Sequence, residues 1–241
     1  MPAKPMRLIV CGAAGRMGSQ VASLAAGDRR FKLTACVFHD ATGDSLGTEA
    51  IRPSALAGRL SHADGAVDFS TPAASLKFAA AAAAAAKPLV IGTTGFSARE
   101  LGRIKEFSKK APIFWAPNFS PAIQVLLALA SRAAKALPGF DASVWEVHHR
   151  AKKDSPSGTA LKLVEAVRGS GKARNVPAVS QRLGDVVGEH TLTLAGPFER
   201  IELTHRAHSR AVFALGALES ALWLREKQPG FYGMADRMGL P

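Results

Sequence analysis

The sequence predicts an α/β fold in which a Rossmann-like parallel sheet domain carries an inserted α+β domain. Short apolar runs alternate with helical patterns in the first 120 residues, and a glycine-rich turn follows the first run. Between residues 121 and 210, strand patterns follow one another. Alternating strands and helices form parallel sheets covered on both faces, whereas successive strands pair antiparallel. We therefore expect residues 1–120 and 211–241 to form a dinucleotide-binding domain and residues 121–210 to form the inserted domain.

The first domain is expected to contain five strands and four helices. Apolar runs predict the strands at residues 7–11, 33–38, 66–69, 88–91 and 113–115. Helical patterns predict the helices at residues 15–26, 73–86, 97–110 and 211–227. The last helix should pack on this domain through an apolar stripe made of Phe213, Leu215, Leu218, Leu222 and Trp223.

The inserted domain is expected to be a largely antiparallel sheet with a helix on one face. The patterns predict its strands at residues 142–148, 176–183, 188–194 and 201–206. They predict helices at residues 122–136 and 159–168.

Composition limits the class of protein. Hydrophobic residues make up 47% of the 241 residues and charged residues 21%, which is typical of a globular chain. No apolar run reaches the roughly 18 residues that span a bilayer, and the first residues lack a signal-peptide pattern. Cys11 and Cys36 lie in apolar runs, so we expect reduced thiols in a cytoplasmic protein without membrane contact.

The net charge of +12 favours anionic partners. Nucleic acids are one class of such partners, and small anionic substrates with phosphate-bearing cofactors are another. The basic residues are scattered and show neither a zinc-finger spacing nor a basic zipper. We therefore expect neither a nucleic-acid partner nor a metal.

The glycine-rich turn indicates a phosphate-binding site. Its spacing is GxxGxxG, with Gly12, Gly15 and Gly18 placed between the first strand and the first helix. Such a turn lets the backbone approach a pyrophosphate, and the helix start offers N–H groups to it. The alternative is a tight turn without a ligand. The expected cofactor contacts are Gly12, Ala13, Ala14, Gly15, Arg16 and Met17.

Two further turns are expected to contact the nicotinamide. They follow the fourth and fifth strands, and ligands of open α/β sheets bind at the carboxyl ends of the strands. Either turn is equally compatible with a plain connection from strand to helix. The expected contacts are Gly92, Thr93 and Thr94 in the first turn and Ala116, Pro117, Asn118 and Phe119 in the second.

The segment that leaves the predicted strand 142–148 carries the densest chemistry. His148 can deliver a proton near neutral pH, and Lys152 can stabilise negative charge. Ser157, Gly158 and Thr159 stand where the next helix begins, so their N–H groups can hold an anion. The alternative is a solvated basic loop that leads into a capped helix.

This segment, His148-His149-Arg150-x-Lys152-x-Asp154-x-Pro156-Ser157-Gly158-Thr159-Ala160, closely resembles the signature of 4-hydroxy-tetrahydrodipicolinate reductases, also called dihydrodipicolinate reductases. The resemblance covers nearly the whole chain. Further similar segments occur in the same order at residues 11–18, 67–70, 92–96, 118–120, 188–191 and 220–224.

The resemblance implies a function and roles for individual residues. His148 corresponds to the general acid and Lys152 to a second proton donor. The substrate contacts correspond to His149, Gly158 and Thr159, with Ser157 as a helper. The implied reaction removes the ring hydroxyl of a dicarboxylate as water and transfers a hydride from NADPH or NADH. The family also implies a homotetramer joined through the sheets of the inserted domain.

The chain departs from better-known members of the family at the end of the second strand. Phe38 and His39 stand where several relatives have an acidic residue followed by Arg. Phe38 can neither bond a ribose 2′-hydroxyl nor repel a 2′-phosphate, and Arg16 and His39 can contact that phosphate. We expect NADPH to be used at least as well as NADH, although Asp40 near the ribose or stacking of Phe38 on adenine would weaken this preference. The segments after residue 43 and between residues 168 and 184 look shortened.

Two other functions remain compatible with the residues alone. One is another dehydrogenase of a small anionic substrate on the same two-domain plan. The other is a non-catalytic protein that senses nucleotides or binds nucleic acid. Absence of turnover with the dipicolinate precursor favours the first, and salt-sensitive DNA binding without reductase activity favours the second.

Overall fold

The computed structural model describes residues 4–40, 43, 46–170 and 175–240. Parts of both shortened segments, at residues 44–45 and 171–174, lie outside the described residues. The chain divides into two compact units. The first unit takes its described residues from Met1–Phe119 and Ala211–Met238, and the second takes them from Ser120–Arg210 and residues 239 and 240.

Eleven strands and eight α-helices lie in the described residues. The strands are β1 Met6–Cys11, β2 Phe31–Val37, β3 Glu49–Ile51, β4 Gly65–Asp68, β5 Leu89–Ile91, β6 Pro112–Trp115, β7 Asp141–His148, β8 Ala178–Arg182, β9 Glu189–Ala195, β10 Arg200–Arg206 and β11 Gly230–Tyr232. The helices are α1 Arg16–Gly27, α2 Leu56–Leu60, α3 Pro72–Ala85, α4 Ala98–Ser108, α5 Pro121–Ala136, α6 Gly158–Ser170, α7 Ala211–Leu224 and α8 Met234–Met238.

The first unit is built on a seven-stranded parallel sheet. Its strand order is β11-β6-β5-β4-β1-β2-β3, and every neighbouring pair is parallel. The chain runs outward from β1 through β2 and β3, then returns to β4 on the other side of β1. The topological switch point, where open α/β sheets bind ligands, therefore lies between β1 and β4.

Apolar side chains cover both faces of this sheet. Leu8 and Val10 of β1 belong to a core cluster with α1 and α7, whereas Ile9 and Cys11 belong to a second cluster with α2, α3 and α4. This alternation is the two-residue period of a strand that is buried on both sides. The predicted Rossmann-like domain is confirmed.

Side-chain caps set the first residue of several helices. The hydroxyls of Thr71 and Ser120 accept hydrogen bonds from the first turns of α3 and α5, and a proline follows each cap. At α4, Ser97 and Glu100 form a reciprocal capping box. Each cap satisfies a backbone N–H group that has no partner within its helix.

The second unit is a four-stranded mixed sheet with two helices on one face. Its order is β10-β9-β7-β8, with β7–β9 and β9–β10 antiparallel and β7–β8 parallel. Helices α5 and α6 pack on it through a separate core cluster that includes Ile123, Leu126, Leu163 and Leu192. The predicted α+β architecture is confirmed. No helix in the described ranges has both the length and the apolarity to cross a membrane.

The predicted stripe on α7 is wrong in part. Leu215 is 47% exposed, whereas the face buried against the first unit's core consists largely of small residues such as Ala214, Ala217 and Ala221. At Gly216 an added Cβ would lie 2.1 Å from the carbonyl oxygen of Phe119. The helix therefore packs by close backbone approach, which a search for large apolar side chains does not detect.

Candidate active site

The glycine turn after β1 has the geometry of a phosphate-binding turn. Gly12 has a φ of +75°, and a Cβ there would lie 2.5 Å from the carbonyl oxygen of Phe69. At Gly18 a Cβ would lie 2.0 Å from the carbonyl oxygen of Gly12, so this glycine allows α1 to pack against the turn. Helix α1 begins after Gly15 without a side-chain cap. The residues at its start, Ala14, Gly15 and Arg16, are exposed, so its first N–H groups point toward an accessible anion site.

The predicted nicotinamide turns differ in exposure. Thr94 and Pro117 are exposed, Gly92 and Asn118 are half-buried, and Thr93, Ala116 and Phe119 are buried. Trp115 donates a hydrogen bond to the backbone carbonyl of Thr93 at 3.1 Å. The buried members hold the two turns, while the others remain accessible at the carboxyl edge of the sheet. Ala13 and Met17, from the glycine turn, pack into the core cluster beside α1.

A buried carboxylate, which the sequence analysis did not single out, joins the loops at this edge. Asp68 ends β4 and accepts hydrogen bonds from the Ser70 N–H at 3.0 Å and the Thr93 hydroxyl at 3.3 Å, as well as from the Ser75 hydroxyl. Burial, opposed by hydrogen bonds from Ser70, Ser75 and Thr93, raises the pKa of Asp68 to about 6. The network fixes the loop that carries Thr93.

The end of β2 presents a different set of groups from the one expected. The Phe38 ring is buried in the core cluster, and a Cβ at Gly43 would lie 1.9 Å from it. Stacking of Phe38 on an adenine therefore requires the ring to leave this packing. His39 and Asp40 are exposed and are the polar side chains at this strand end.

In the second unit, the end of β7 brings several functional groups together. Glu146 and His148 lie two residues apart on one strand, and their cross-strand partners are His190 on β9 and Arg182 on β8. Residues at such positions share one face of the sheet. Glu146, His148 and His190 are all buried.

Glu146 forms the centre of a hydrogen-bonded network. One of its carboxylate oxygens, Oε2, is bonded to His148 Nδ1. The other, Oε1, accepts from Arg182 Nη2 at 2.9 Å and from the Ser157 N–H at 3.3 Å. Burial raises the pKa of Glu146, but Ser180, Arg182 and His148 together outweigh burial and hold that pKa below its usual value. The carboxylate is therefore ionised at neutral pH.

The two buried histidines are neutral at physiological pH. Burial lowers the pKa of His148, and Lys152 and Arg182 lower it further, whereas the negative charge of Glu146 acts in the opposite direction. Burial and the nearby His148 lower the pKa of His190 to about 3. The two rings meet edge to face with their centroids 5.0 Å apart.

Ser157 is the cap of α6 and part of the same network. Its hydroxyl oxygen accepts from the Ala160 N–H at 3.2 Å and is bonded to His190 Nε2 at 3.1 Å. The helix begins at Gly158, which is exposed, and Thr159 is half-buried. The predicted anion cradle thus lies at an accessible helix start whose first residue is held by buried groups.

Lys152 lies in the loop after β7. Its backbone N–H bonds the carbonyl of His149 at 3.1 Å, and its Nζ lies 2.8 Å from Asp154 Oδ1. The carbonyl of Asp154 accepts a hydrogen bond from Arg182 at 2.6 Å. The loop is therefore tied to the Glu146 network through Arg182. His149 is half-buried just beyond the strand end.

The cluster of Glu146, His148 and His190 has residue types that occur in metal sites, but its atoms already have partners. Glu146 is bonded by a guanidinium and by His148, and His190 is bonded to Ser157. Arg182 and Lys152 also make the surroundings unfavourable for a cation. We interpret the cluster as a hydrogen-bonded network.

Comparison with known proteins places the chain in a family. The model of the dihydrodipicolinate reductase N-terminus matches residues 6–119, and that of the dihydrodipicolinate reductase C-terminus matches residues 122–238. The chain belongs to the dihydrodipicolinate reductase family. This membership confirms the resemblance found in the sequence.

Individual relatives are similar over their full length. The 4-hydroxy-tetrahydrodipicolinate reductase of Aquifex aeolicus is 41% identical, with 98% of this chain and 99% of the relative covered. The enzyme of the same name from Desulfovibrio desulfuricans is 43% identical, with 95% and 98% covered. The solved structure of dipicolinate-bound dihydrodipicolinate reductase from Paenisporosarcina sp. TG-14 has a TM-score of 0.79 at 22% identity, with 97% and 99% covered, and shows the shared fold.

Proposed function

We propose that the chain is a 4-hydroxy-tetrahydrodipicolinate reductase of lysine and diaminopimelate biosynthesis. It reduces its cyclic dicarboxylate substrate to tetrahydrodipicolinate with NADPH or NADH and releases water. The observation that carries the proposal is the network around Glu146. It connects a histidine at a strand end with an accessible helix start in a chain whose two halves both match the family.

The first unit fits a dinucleotide. Gly12 and Gly18 let the turn close tightly, and the uncapped start of α1 offers N–H groups to a pyrophosphate. A bound reduced nicotinamide supplies the hydride. The accessible residues Thr94, Pro117 and Asn118 at the carboxyl edge of the sheet are proposed to orient the nicotinamide.

In the second unit, the residues act on the substrate's charges and protons. The N–H groups at Gly158 and Thr159 hold one carboxylate, with His149 as a further contact and Ser157 fixing the helix start. A bound dicarboxylate places negative charge near His148, which raises the pKa of the ring and favours proton uptake. His148 is then the general acid, and Lys152 stabilises developing negative charge and serves as a second proton donor.

The cofactor preference is proposed to favour NADPH or to be neutral. Phe38 is buried and carries no group that bonds a ribose hydroxyl, whereas Arg16 and His39 are exposed near the dinucleotide turn and the end of β2. A guanidinium is well suited to a 2′-phosphate. Asp40, which is also exposed, is the residue that opposes this preference.

The uncovered face of the four-stranded sheet is proposed to join four copies of the chain. Trp145 pairs with Val179 and Thr191 on this face, opposite the face that carries α5 and α6, and Val179 is 51% exposed. Light scattering should give a tetramer for the wild type and a smaller species for Val179→Asp. A monomeric wild type would contradict the proposal. A cytoplasmic location is proposed because Cys11 and Cys36 are free, buried thiols.

A coupled assay tests the proposed reaction. The dipicolinate precursor is generated in the cuvette, and loss of reduced nicotinamide absorbance is followed after the chain is added. Consumption that depends on both the precursor and the chain supports the proposal. Unchanged absorbance under conditions in which a known reductase is active would refute it.

A further inference from the structure

One buried carboxylate links the histidine of the second unit to the helix start beside it. The Glu146 side chain is fully buried and uses both oxygens, Oε2 toward His148 Nδ1 and Oε1 toward Ser157 and Arg182. Buried carboxylates persist where hydrogen bonds and a cation compensate their charge. Glu146 has both kinds of compensation and is therefore a fixed reference point for the groups around it.

The geometry also determines which nitrogen of His148 remains available. Nδ1 faces Glu146, so the other ring nitrogen, Nε2, is left for a ligand. A Cβ at Gly188 would lie 3.0 Å from Nε2, so the glycine at this position keeps space beside that nitrogen. An ionised carboxylate that accepts the Nδ1 proton fixes both the tautomer and the ring orientation.

We propose that Glu146 is a positioning residue that sets the tautomer and orientation of His148 and fixes Ser157 at the start of the anion cradle. The proposal rests on the function proposed above and assigns to Glu146 a role that acts through these two neighbours. It predicts that loss of the Glu146 charge impairs proton delivery while the cofactor-binding unit is unaffected.

The charges around His148 give this role a measurable signature. Glu146 favours the protonated ring, whereas Lys152 and Arg182 oppose it, and His190 is neutral. Asp154 also faces the ring, but its charge is paired with Lys152 at 2.8 Å. An opposite charge at close range shifts a pKa by about 1–3 units. Glu146→Gln should therefore lower the pKa of His148 by an amount in that range.

The experiment compares Glu146→Gln with the matched control Glu165→Gln, which alters an exposed carboxylate on α6. Histidine ring resonances are titrated by NMR, with His148 assigned from its absence in His148→Ala. The alkaline limb of kcat/KM should move to lower pH together with the His148 pKa. Activity at neutral pH should fall about 10- to 100-fold and recover in part at acidic pH, since each unit changes the protonated fraction tenfold. The control should behave as wild type.

The outcomes separate this proposal from the proposed function. A folded Glu146→Gln variant with an unchanged His148 pKa and an unchanged pH profile overturns the positioning role, even where activity falls uniformly. A shifted pKa in a chain whose wild type has no reductase activity upholds the positioning role and refutes the reaction. If Glu146→Gln does not fold, the double variant Glu146→Gln/Arg182→Gln removes both charges together and is titrated in its place.

Discussion

Asp68 links the stability of the first unit to pH, and its replacement by Asn makes this dependence measurable. Burial, against hydrogen bonds from Ser70, Ser75 and Thr93, raises the pKa of Asp68 from 3.8 to about 6. The folded chain therefore holds this proton more tightly than the unfolded chain does. The resulting stabilisation is fully present below pH 3.8 and is lost as the pH rises through about 6.

The magnitude follows from the size of the shift. About two pKa units at about 1.4 kcal/mol per unit correspond to about 3 kcal/mol. Asn has nearly the same shape as Asp and does not titrate, so Asp68→Asn removes this slope. The free energy of unfolding of the variant, relative to wild type, should rise by up to about 3 kcal/mol between about pH 3 and pH 7. This change with pH is independent of the variant's stability at any single pH.

Urea unfolding measures this difference. In a Trp145→Phe background, the remaining tryptophans, Trp115 and Trp223, both report on the first unit. Asp64→Asn is the control of opposite sign. Hydrogen bonds from Arg7 hold the pKa of Asp64 below its usual value, so that variant should become less stable, relative to wild type, as the pH rises. A constant difference for Asp68→Asn, or a trend like that of Asp64→Asn, would refute the reasoning.

Three predictions concern the reaction. His148→Ala should lower kcat about 10²- to 10⁴-fold, the usual contribution of general acid catalysis, with cofactor binding unchanged in fluorescence titration; retention of half of the wild-type kcat would rule out this role. Lys152→Ala should lower kcat and kcat/KM together, whereas Thr159→Ala should mainly raise KM, because a carboxylate is held in ground and transition states alike. Reversed effects in steady-state kinetics would exchange the two roles. NADPH should give a kcat/KM at least equal to that of NADH, and Arg16→Ala should reduce it for NADPH alone; a tenfold preference for NADH, about 1.4 kcal/mol, would contradict the inference.

The long elements of the fold could be predicted from the sequence because their patterns span several periods. Strand β1 and helix α1 flank the glycine turn as expected. Strands β3 and β11 have three residues each, and α8 has five. Elements of this length complete too little of a period to stand out from a loop, and neighbours in the sheet specify them instead.

The site could be predicted in part for a similar reason. His148, Lys152 and Ser157 lie within one continuous segment, so their shared location is visible in the sequence. Glu146 precedes His148 by two residues on the same strand, and this spacing alone could have indicated a pair on one face. Arg182 and His190 reach the site through the pairing of β7 with β8 and β9. That pairing depends on the tertiary fold, and no local pattern reports it.

Deuterium transfer tests the central claim most directly. The chain is incubated with the dipicolinate precursor and NADPH that carries deuterium at C4 of the nicotinamide, in separate reactions for the two faces of the ring. Mass spectrometry of the product then follows the label. The account predicts tetrahydrodipicolinate with one deuterium from one of the two labelled cofactors, in proportion to the NADPH consumed. Product without label from both cofactors, or no product in the presence of folded chain, would contradict it.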